Sequence, residues 1–173
     1  MRKKTAKLVG FIEGLHEFII KSPQFRKFTK DYSEARIQAE IRPLIIGYLE
    51  KYFKGKFVDH IAKANKSFYW EGQEGRYGKE RPTTFGSRNY PDFIITDPYL
   101  IAIEYKQSPN GSTVKQGVGQ SVMHTLAGEF DFVYYLFHDE SDKKRIEKSI
   151  GNETEAFILD TLRDRFNLFI YFV

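Results

Sequence analysis

Three charged side chains near the middle of the chain are spaced so that a β-sheet could bring them together. Asp92 follows Pro91 in the only Pro-Asp pair of the chain, and Glu104-Tyr105-Lys106 follows after eleven further residues. Two carboxylates can hold a hard divalent ion, and a nearby lysine can orient a water molecule. Phosphodiester hydrolysis needs both, because the phosphate charge must be neutralised and the water activated. The residue types therefore suit metal-assisted hydrolysis of a phosphate ester.

The two segments that carry these residues have the pattern of neighbouring β-strands. Residues 91–96 and 100–106 predict strands joined by a turn at Asp97-Pro98. Glu104 and Lys106 are two positions apart, so both point to one face of their strand. The opposite face carries four apolar or aromatic side chains: Tyr99, Ile101, Ile103 and Tyr105.

Asp92 reaches the same face as Glu104 only if the two residues lie opposite each other. That register requires the three-residue connection Asp97-Pro98-Tyr99, or a β-bulge in its place. A two-residue turn would put Asp92 on the wrong side of the sheet. The sequence thus predicts a specific register that coordinates can test.

The acid-x-lysine spacing is common and decides nothing alone. A second copy, Asp142-Lys143-Lys144, lies in the charged run 139–145 and has no Pro-Asp pair before it. We interpret that copy as solvated surface. The strand context distinguishes Glu104-Tyr105-Lys106 from it.

The remaining elements predict an α/β domain that occupies residues 1–173, with a mixed sheet flanked by helices. A second helix is expected to begin near Asp31, which has capping-box spacing with Glu34. Pro43 should kink this helix or restart it after Arg42. The other predicted helices are 5–20, 114–126, 142–149 and 152–165, and the other predicted strands are 67–70, 132–137 and 168–173.

This combination resembles the PD-(D/E)XK nuclease superfamily, which has the restriction-endonuclease-like fold. The resemblance rests on Pro91-Asp92, on Glu104-Tyr105-Lys106, and on the αβββαβ element order of residues 32–137. It implies that Asp92 and Glu104 ligate Mg²⁺ together with the backbone carbonyl of Tyr105, with Mn²⁺ able to substitute. It also implies that Lys106 positions the attacking water.

Two further site residues are expected from the same resemblance. Many members add a glutamate from the first core helix, and Glu40 is the candidate because it borders the apolar stripe of that helix. The alternative is a partly exposed helix-flank acid. Many members also place a glutamine on the helix after the motif, and Gln120 is the candidate, on one face with Gln116 and His124. The alternative there is a polar surface stripe.

Residues 71–90 form a long segment rich in glycine and arginine, a type of loop that is often functional. Its basic side chains could neutralise phosphates just before Asp92 in the chain. The alternative is a solvated loop without a binding role. With one helix lysine added, the expected nucleic-acid contacts are Arg76, Lys79, Arg81, Arg88 and Lys115.

The amino-acid composition excludes proteins built on cysteine chemistry and is compatible with a nuclease. The chain of 173 residues has no cysteine, so disulfide scaffolds and cysteine zinc sites are excluded. Its formal net charge of +4 is compatible with a polyanionic partner. No apolar run approaches the roughly 20 residues needed to span a bilayer. A cytoplasmic, intracellular location is therefore expected.

These observations predict a metal-dependent DNA endonuclease, of the sequence-specific restriction or homing type, that acts as a homodimer or higher homo-oligomer. A structure-specific nuclease such as a Holliday-junction resolvase is the first alternative. A non-catalytic nucleic-acid-binding protein on the same fold is the second. The third is an interaction module in which Glu104 and Lys106 form an ordinary surface pair.

Overall fold

The computed structural model describes most of the chain. The described residues are 6–27, 32–71, 73, 83–84, 87–88, 90–127 and 130–173. For residues 83–84 and 87–88 only the backbone is described.

Six α-helices and seven β-strands lie in the described part of the chain. The helices are α1 Ala6–Ile20, α2 Glu34–Phe53, α3 His60–Lys66, α4 Gly111–Leu126, α5 Arg145–Ser149 and α6 Glu153–Phe166. The strands are β1 Phe68–Trp70, β2 Thr83–Thr84, β3 Ser87–Arg88, β4 Phe93–Ile95, β5 Ile101–Ser108, β6 Phe132–Asp139 and β7 Leu168–Phe172. Single 3₁₀ turns lie at Phe25–Lys27 and Asp142–Lys144.

Five of the strands form one mixed sheet in the order β1-β4-β5-β6-β7. Strand β4 runs antiparallel to both of its neighbours, β1 and β5, whereas β5, β6 and β7 run parallel. The α4 crossover connects β5 to its parallel neighbour β6, as a parallel pair requires. Strands β2 and β3 form a separate two-stranded hairpin. The predicted mixed sheet flanked by helices is therefore confirmed.

The sheet has two different faces, which we name by the helix that covers each. On the α2 face, Ile101, Ile103 and Tyr105 of β5 join one apolar cluster with α1 and α2. On the α4 face, Ala102 belongs to a second, smaller cluster that includes β6 and β7. Glu104 and Lys106 follow Ala102 at alternate positions, so they share the α4 face.

A serine N-cap begins helix α2, and a glycine with positive φ follows its end. Ser33 is its N-cap, and the Ser33 hydroxyl accepts a hydrogen bond from the Arg36 backbone N–H at 3.3 Å. The helix gives way at Lys54 to Gly55, whose φ of +79° is a conformation that glycine adopts without strain. The predicted start near Asp31 was wrong by three residues, and Asp31 itself lies outside the described residues.

Other differences from the predicted elements have simple causes. Helix α2 continues through Pro43 without a break, because packing of its buried stripe outweighs one lost backbone bond. Helix α3 lies in a stretch whose apolar periodicity is too weak to predict it. The predicted helix 142–149 is a 3₁₀ turn followed by the short α5. Lys143 and Lys144 interrupt it with positive φ values.

The described residues contain no helix long and apolar enough to cross a membrane.

Candidate active site

Strands β4 and β5 bring Asp92 and Glu104 together. Their antiparallel register pairs Phe93 with Ile103, so one further step places Asp92 opposite Glu104. The Asp92 side chain confirms the approach, because its Oδ2 accepts a hydrogen bond of 2.7 Å from the Tyr105 backbone N–H. The predicted register is thus confirmed.

Both carboxylates are buried, and burial changes their chemistry. Asp92 is 8% exposed and Glu104 is 3% exposed. Burial, followed by the charge of Glu104, raises the pKa of Asp92 to about 7. Burial likewise raises the pKa of Glu104 to about 8, with the charges of Glu34 and Glu71 adding to the rise and that of Lys106 opposing it. Two acids of this kind share a site that favours either protons or a cation.

The second hydrogen-bonding partner at the site is His124 on α4. Its Nε2 lies 2.6 Å from Oε1 of Glu104, and both side chains are almost completely buried. The ring of Phe130 packs edge-on against the His124 ring, with centroids 5.8 Å apart. Among the described residues, the hydrogen bonds at the two acids therefore involve one oxygen of each, Oδ2 of Asp92 and Oε1 of Glu104.

Lys106 lies two residues after Glu104 on β5, and its side chain contacts the start of α2. Its Nζ donates a hydrogen bond of 2.8 Å to Oε1 of Glu34. Lys106 has a pKa above its usual range: burial lowers it, but the Glu34 hydrogen bond and the charges of Asp92 and Glu104 outweigh burial. The ammonium group is therefore a cationic hydrogen-bond donor at neutral pH.

A hydrogen bond from a β5 side chain to the backbone just before α2 holds the start of that helix against β5. The Gln107 side-chain amide donates to the carbonyl oxygen of Tyr32 at 2.6 Å, just before the Ser33 N-cap. Gln107 in turn accepts from the Tyr105 hydroxyl at 3.3 Å. These bonds fix the helix end that carries Glu34 beside Lys106.

The α2 glutamate that contacts Lys106 is Glu34, and the expectation that Glu40 faces inward is wrong. Glu40 is exposed, whereas its neighbour Ile41 is buried in the apolar stripe. Successive helix residues are rotated by roughly 100°, so bordering a buried residue does not make a side chain face inward. Glu34 lies in the first turn, where the helix end meets Lys106.

Gln120 does not share the buried position of His124. Gln116 and Gln120 are both exposed on α4, whereas the buried residues of that helix are Gly117, Ser121 and His124. The glutamines flank the buried stripe, so the alternative of a polar surface stripe fits their exposure better. The structure thus places His124, rather than Gln120, against the acids.

The expected nucleic-acid contacts lie mostly beyond what the structure describes. Arg76, Lys79 and Arg81 lie outside the described residues. Arg88 ends the hairpin strand β3, where its backbone pairs with Thr83, but its side chain is not described. Lys115 is exposed on α4. The expectation of phosphate contacts from these residues stays a prediction.

The donor set fits a hard cation with few protein ligands. Within the described ranges, no group of three or more His, Asp or Glu side chains is arranged to hold a metal ion. Mg²⁺ usually keeps several waters and is held by one or two carboxylates plus substrate phosphates. Asp92 and Glu104 supply such a pair, with charge that their burial leaves poorly solvated.

Comparison with known proteins adds no family. No protein-family model, no curated protein and no solved structure matches this chain. Any functional assignment therefore rests on the residues and geometry of the chain itself.

Sequence reasoning missed Glu34 and Glu71 as neighbours of the acids. The capping-box spacing assigns Glu34 only a role in starting the helix, and its position after Ser33 in the first turn is the one local signal that points to it. Glu71 follows β1, and its backbone N–H donates to the Asp92 carbonyl at 3.0 Å. That pairing depends on the β1–β4 register, which the sequence does not display.

Proposed function

We propose that this protein is a metal-dependent nuclease that hydrolyses phosphodiester bonds in DNA. The observation that carries the proposal is the meeting of two buried carboxylates, Asp92 and Glu104, beside the Lys106 ammonium group on one sheet face. An interaction module has no use for buried acids whose ionisation is opposed by burial. A catalytic centre does, because such groups are common where a cation or proton is handled.

Asp92 and Glu104 are the residues that would hold Mg²⁺ or Mn²⁺, with the Tyr105 backbone carbonyl as the third expected ligand. A divalent ion in such a site neutralises phosphate charge and lowers the pKa of a bound water. The Tyr105 backbone N–H orients the Asp92 carboxylate through its 2.7 Å hydrogen bond. The fold thereby holds one acid in place from the strand that carries the other.

Lys106 has the role of a charged donor beside the acids. Its ammonium group can donate hydrogen bonds to a scissile phosphate or to the attacking water, because it carries three donors. The carboxylate of Glu34 lies 2.8 Å from the Lys106 ammonium group and holds that group beside Asp92 and Glu104. The same contact makes Glu34 a positioning residue for Lys106 in this proposal.

DNA as the substrate is favoured by charge and by the arginine-rich segment. The net charge of +4 and the basic residues between Glu71 and Tyr90 suit a polyanion. We propose a sequence-specific endonuclease of restriction or homing type that acts as a homodimer, since two active sites are needed to cut both strands at once. A junction resolvase is the alternative, and substrate shape separates the two.

The test is cleavage of plasmid, linear, single-stranded and four-way branched DNA in Mg²⁺. We expect discrete fragments from duplex DNA with the wild type and a loss of roughly 10²–10⁴-fold in rate for Lys106→Ala. Lys148→Ala is the matched control, because Lys148 is an exposed lysine on α5. It should cleave like the wild type.

Each other outcome identifies a different function. Cutting confined to branched DNA would replace the sequence-specific enzyme by a resolvase. DNA binding without cleavage in either metal would favour the non-catalytic binding protein. Equal cleavage by the wild type and by Lys106→Ala would contradict the proposed site, because the activity would then arise elsewhere.

A further inference from the structure

One contact at the site has no counterpart in the nuclease motif: the bond between His124 and Glu104. This inference rests on the proposed function. We propose that His124 is a positioning residue that fixes the Glu104 carboxylate so that its second oxygen, Oε2, is presented to the divalent cation.

The contact is short and shielded from water. Nε2 of His124 lies 2.6 Å from Oε1 of Glu104, and the side chains are 2% and 4% exposed. A hydrogen bond to a carboxyl group in such surroundings is stronger than one at the surface, because no solvent competes with it. It therefore restricts rotation of the Glu104 carboxyl group about its last bond.

Helix α4 is built to admit this imidazole. Its buried residues are Gly117, Ser121 and His124, none of them a large apolar side chain. Gly117 is required for close approach, since a Cβ atom there would overlap the phenol ring of Tyr135. Tyr135 is the β6 residue paired with Glu104, so the helix lies close over the strand position that carries the acid.

The His124 ring is itself held in place. Phe130 packs edge-on against it at a centroid distance of 5.8 Å and an interplanar angle of 85°. Rotation of the imidazole toward Phe130 is therefore blocked by a buried aromatic ring. A rigid donor of this kind orients its partner more accurately than a flexible one.

The two acids are held in a similar way from different elements. The Tyr105 backbone N–H bonds Oδ2 of Asp92 from β5, and His124 bonds Oε1 of Glu104 from α4. Among the described residues, each carboxylate is thus fixed through one oxygen, and we assign the other oxygen to the cation. Partners that orient metal-binding carboxylates in this way are commonly as important to affinity as the ligands.

The experiment compares His124→Gln with His124→Asn. The amide nitrogen of glutamine lies near the place of Nε2, whereas that of asparagine is one methylene group closer to the backbone and cannot reach Glu104. Both variants bury an uncharged amide at the same site, so folding defects should be similar. Their thermal melting temperatures are measured first to show this.

The readouts are the Mn²⁺ dissociation constant by calorimetry and the Mg²⁺ concentration that gives half-maximal DNA cleavage. We expect His124→Asn to weaken metal binding by roughly 10–100-fold and to raise the Mg²⁺ requirement in parallel. His124→Gln should bind Mn²⁺ within about threefold of the wild type. Cleavage by His124→Asn should recover at saturating Mg²⁺, which a general folding defect would not produce.

Ile45→Ala is the packing control, since it removes a buried side chain from the α2 face without altering the His124–Glu104 contact. It should lower the melting temperature and leave the Mg²⁺ requirement near that of the wild type. Metal binding by His124→Asn equal to that of the wild type would overturn the positioning role. So would equal losses in the asparagine and glutamine variants.

Failure of the proposed function is a separate result. A wild-type protein that binds no Mn²⁺ and cleaves no DNA would remove both the nuclease and the role of His124. A wild type whose Mn²⁺ binding is lost in Asp92→Asn but is unchanged in His124→Asn would retain the metal site and overturn only the positioning role.

Discussion

The two faces of the sheet bury different kinds of side chain, apolar on the α2 face and partly ionisable on the α4 face. On the α2 face, apolar side chains of α1, α2 and β5 form the larger core, as Ile41, Ile45 and Ile103 illustrate. On the α4 face, the same strand buries Glu104 beneath a helix whose buried residues are glycine, serine and histidine. The first arrangement stabilises the fold by removing apolar area from water. The second holds ionisable groups in a fixed position, and it lowers the free energy of unfolding because burying a charge is unfavourable.

The largest expected effect is on activity and belongs to the α4 face. Asp92→Asn should reduce DNA cleavage by on the order of 1,000-fold, about 4 kcal/mol of activation free energy. The reason is the loss of one of two charged cation ligands, while the amide oxygen can still accept from the Tyr105 N–H. Steady-state cleavage rates measure it. Unfolding should need at least as much urea as the wild type requires, and a much less stable variant would contradict the assignment.

The next effect is on stability and belongs to the α2 face. Ile45 is fully buried, and Ile45→Ala should lower the free energy of unfolding by about 3 kcal/mol. Ser121→Ala is the contrast on the α4 face. The Ser121 hydroxyl is buried without a hydrogen-bond partner in the described part of the chain, so its removal should leave stability equal or higher. Urea denaturation measures the free energy of unfolding of both variants. Equal decreases in the two would contradict the proposed difference between the faces.

A third prediction concerns pH. The folded-state pKa values of Asp92 and Glu104, about 7 and about 8, lie above the ordinary values of 3.8 and 4.5. The folded protein therefore binds more protons than the unfolded chain between about pH 4 and pH 8, and its stability falls as pH rises through that window. Without divalent ions, Glu104→Gln should be more stable than the wild type at pH 9 by roughly 1–3 kcal/mol.

Denaturation midpoints of both proteins at pH 5 and pH 9 check this third prediction. The difference between the two proteins should be small at pH 5, where the Glu104 carboxyl group is protonated in the folded state. A difference that does not change with pH would show that Glu104 ionises at its ordinary pKa.

A fourth prediction, with an effect of similar size, tests how closely α4 approaches the sheet. Gly117→Ala should destabilise the protein by about 1–3 kcal/mol, because the added methyl group overlaps the Tyr135 ring. Gly119→Ala is the matched control, since nothing lies within 4 Å of a Cβ at that position on the same helix. It should be neutral or slightly stabilising. Equal melting temperatures for the two variants would mean that α4 sits farther from β6.

The sequence predicted the α2 face well because its signals are local. Alternation along β5 and the helical stripe of α2 both follow from the spacing of apolar residues, and both were found. The Asp92–Glu104 register also followed from local geometry, because only one turn separates β4 from β5. The β4–β5 strand pair, the α2 stripe and the meeting of the two acids were therefore accessible without coordinates.

The surroundings of the acids were not predictable in the same way. Glu34 is 72 positions from Lys106, and their contact depends on where the start of α2 docks. Gln120 and His124 are one helical turn apart, and only the rotation of α4 about its axis decides which is buried. These are tertiary relations between rigid elements, and periodicity in one element does not encode them.

A crystal structure of the wild type grown in Mn²⁺, with anomalous diffraction collected at the manganese absorption edge, tests whether Asp92 and Glu104 hold a divalent cation. We expect an anomalous peak bonded to carboxylate oxygens of both Asp92 and Glu104, with Oε1 of Glu104 still hydrogen-bonded to His124. Full occupancy of Mn²⁺ at another site, with no peak between these two acids, would contradict it.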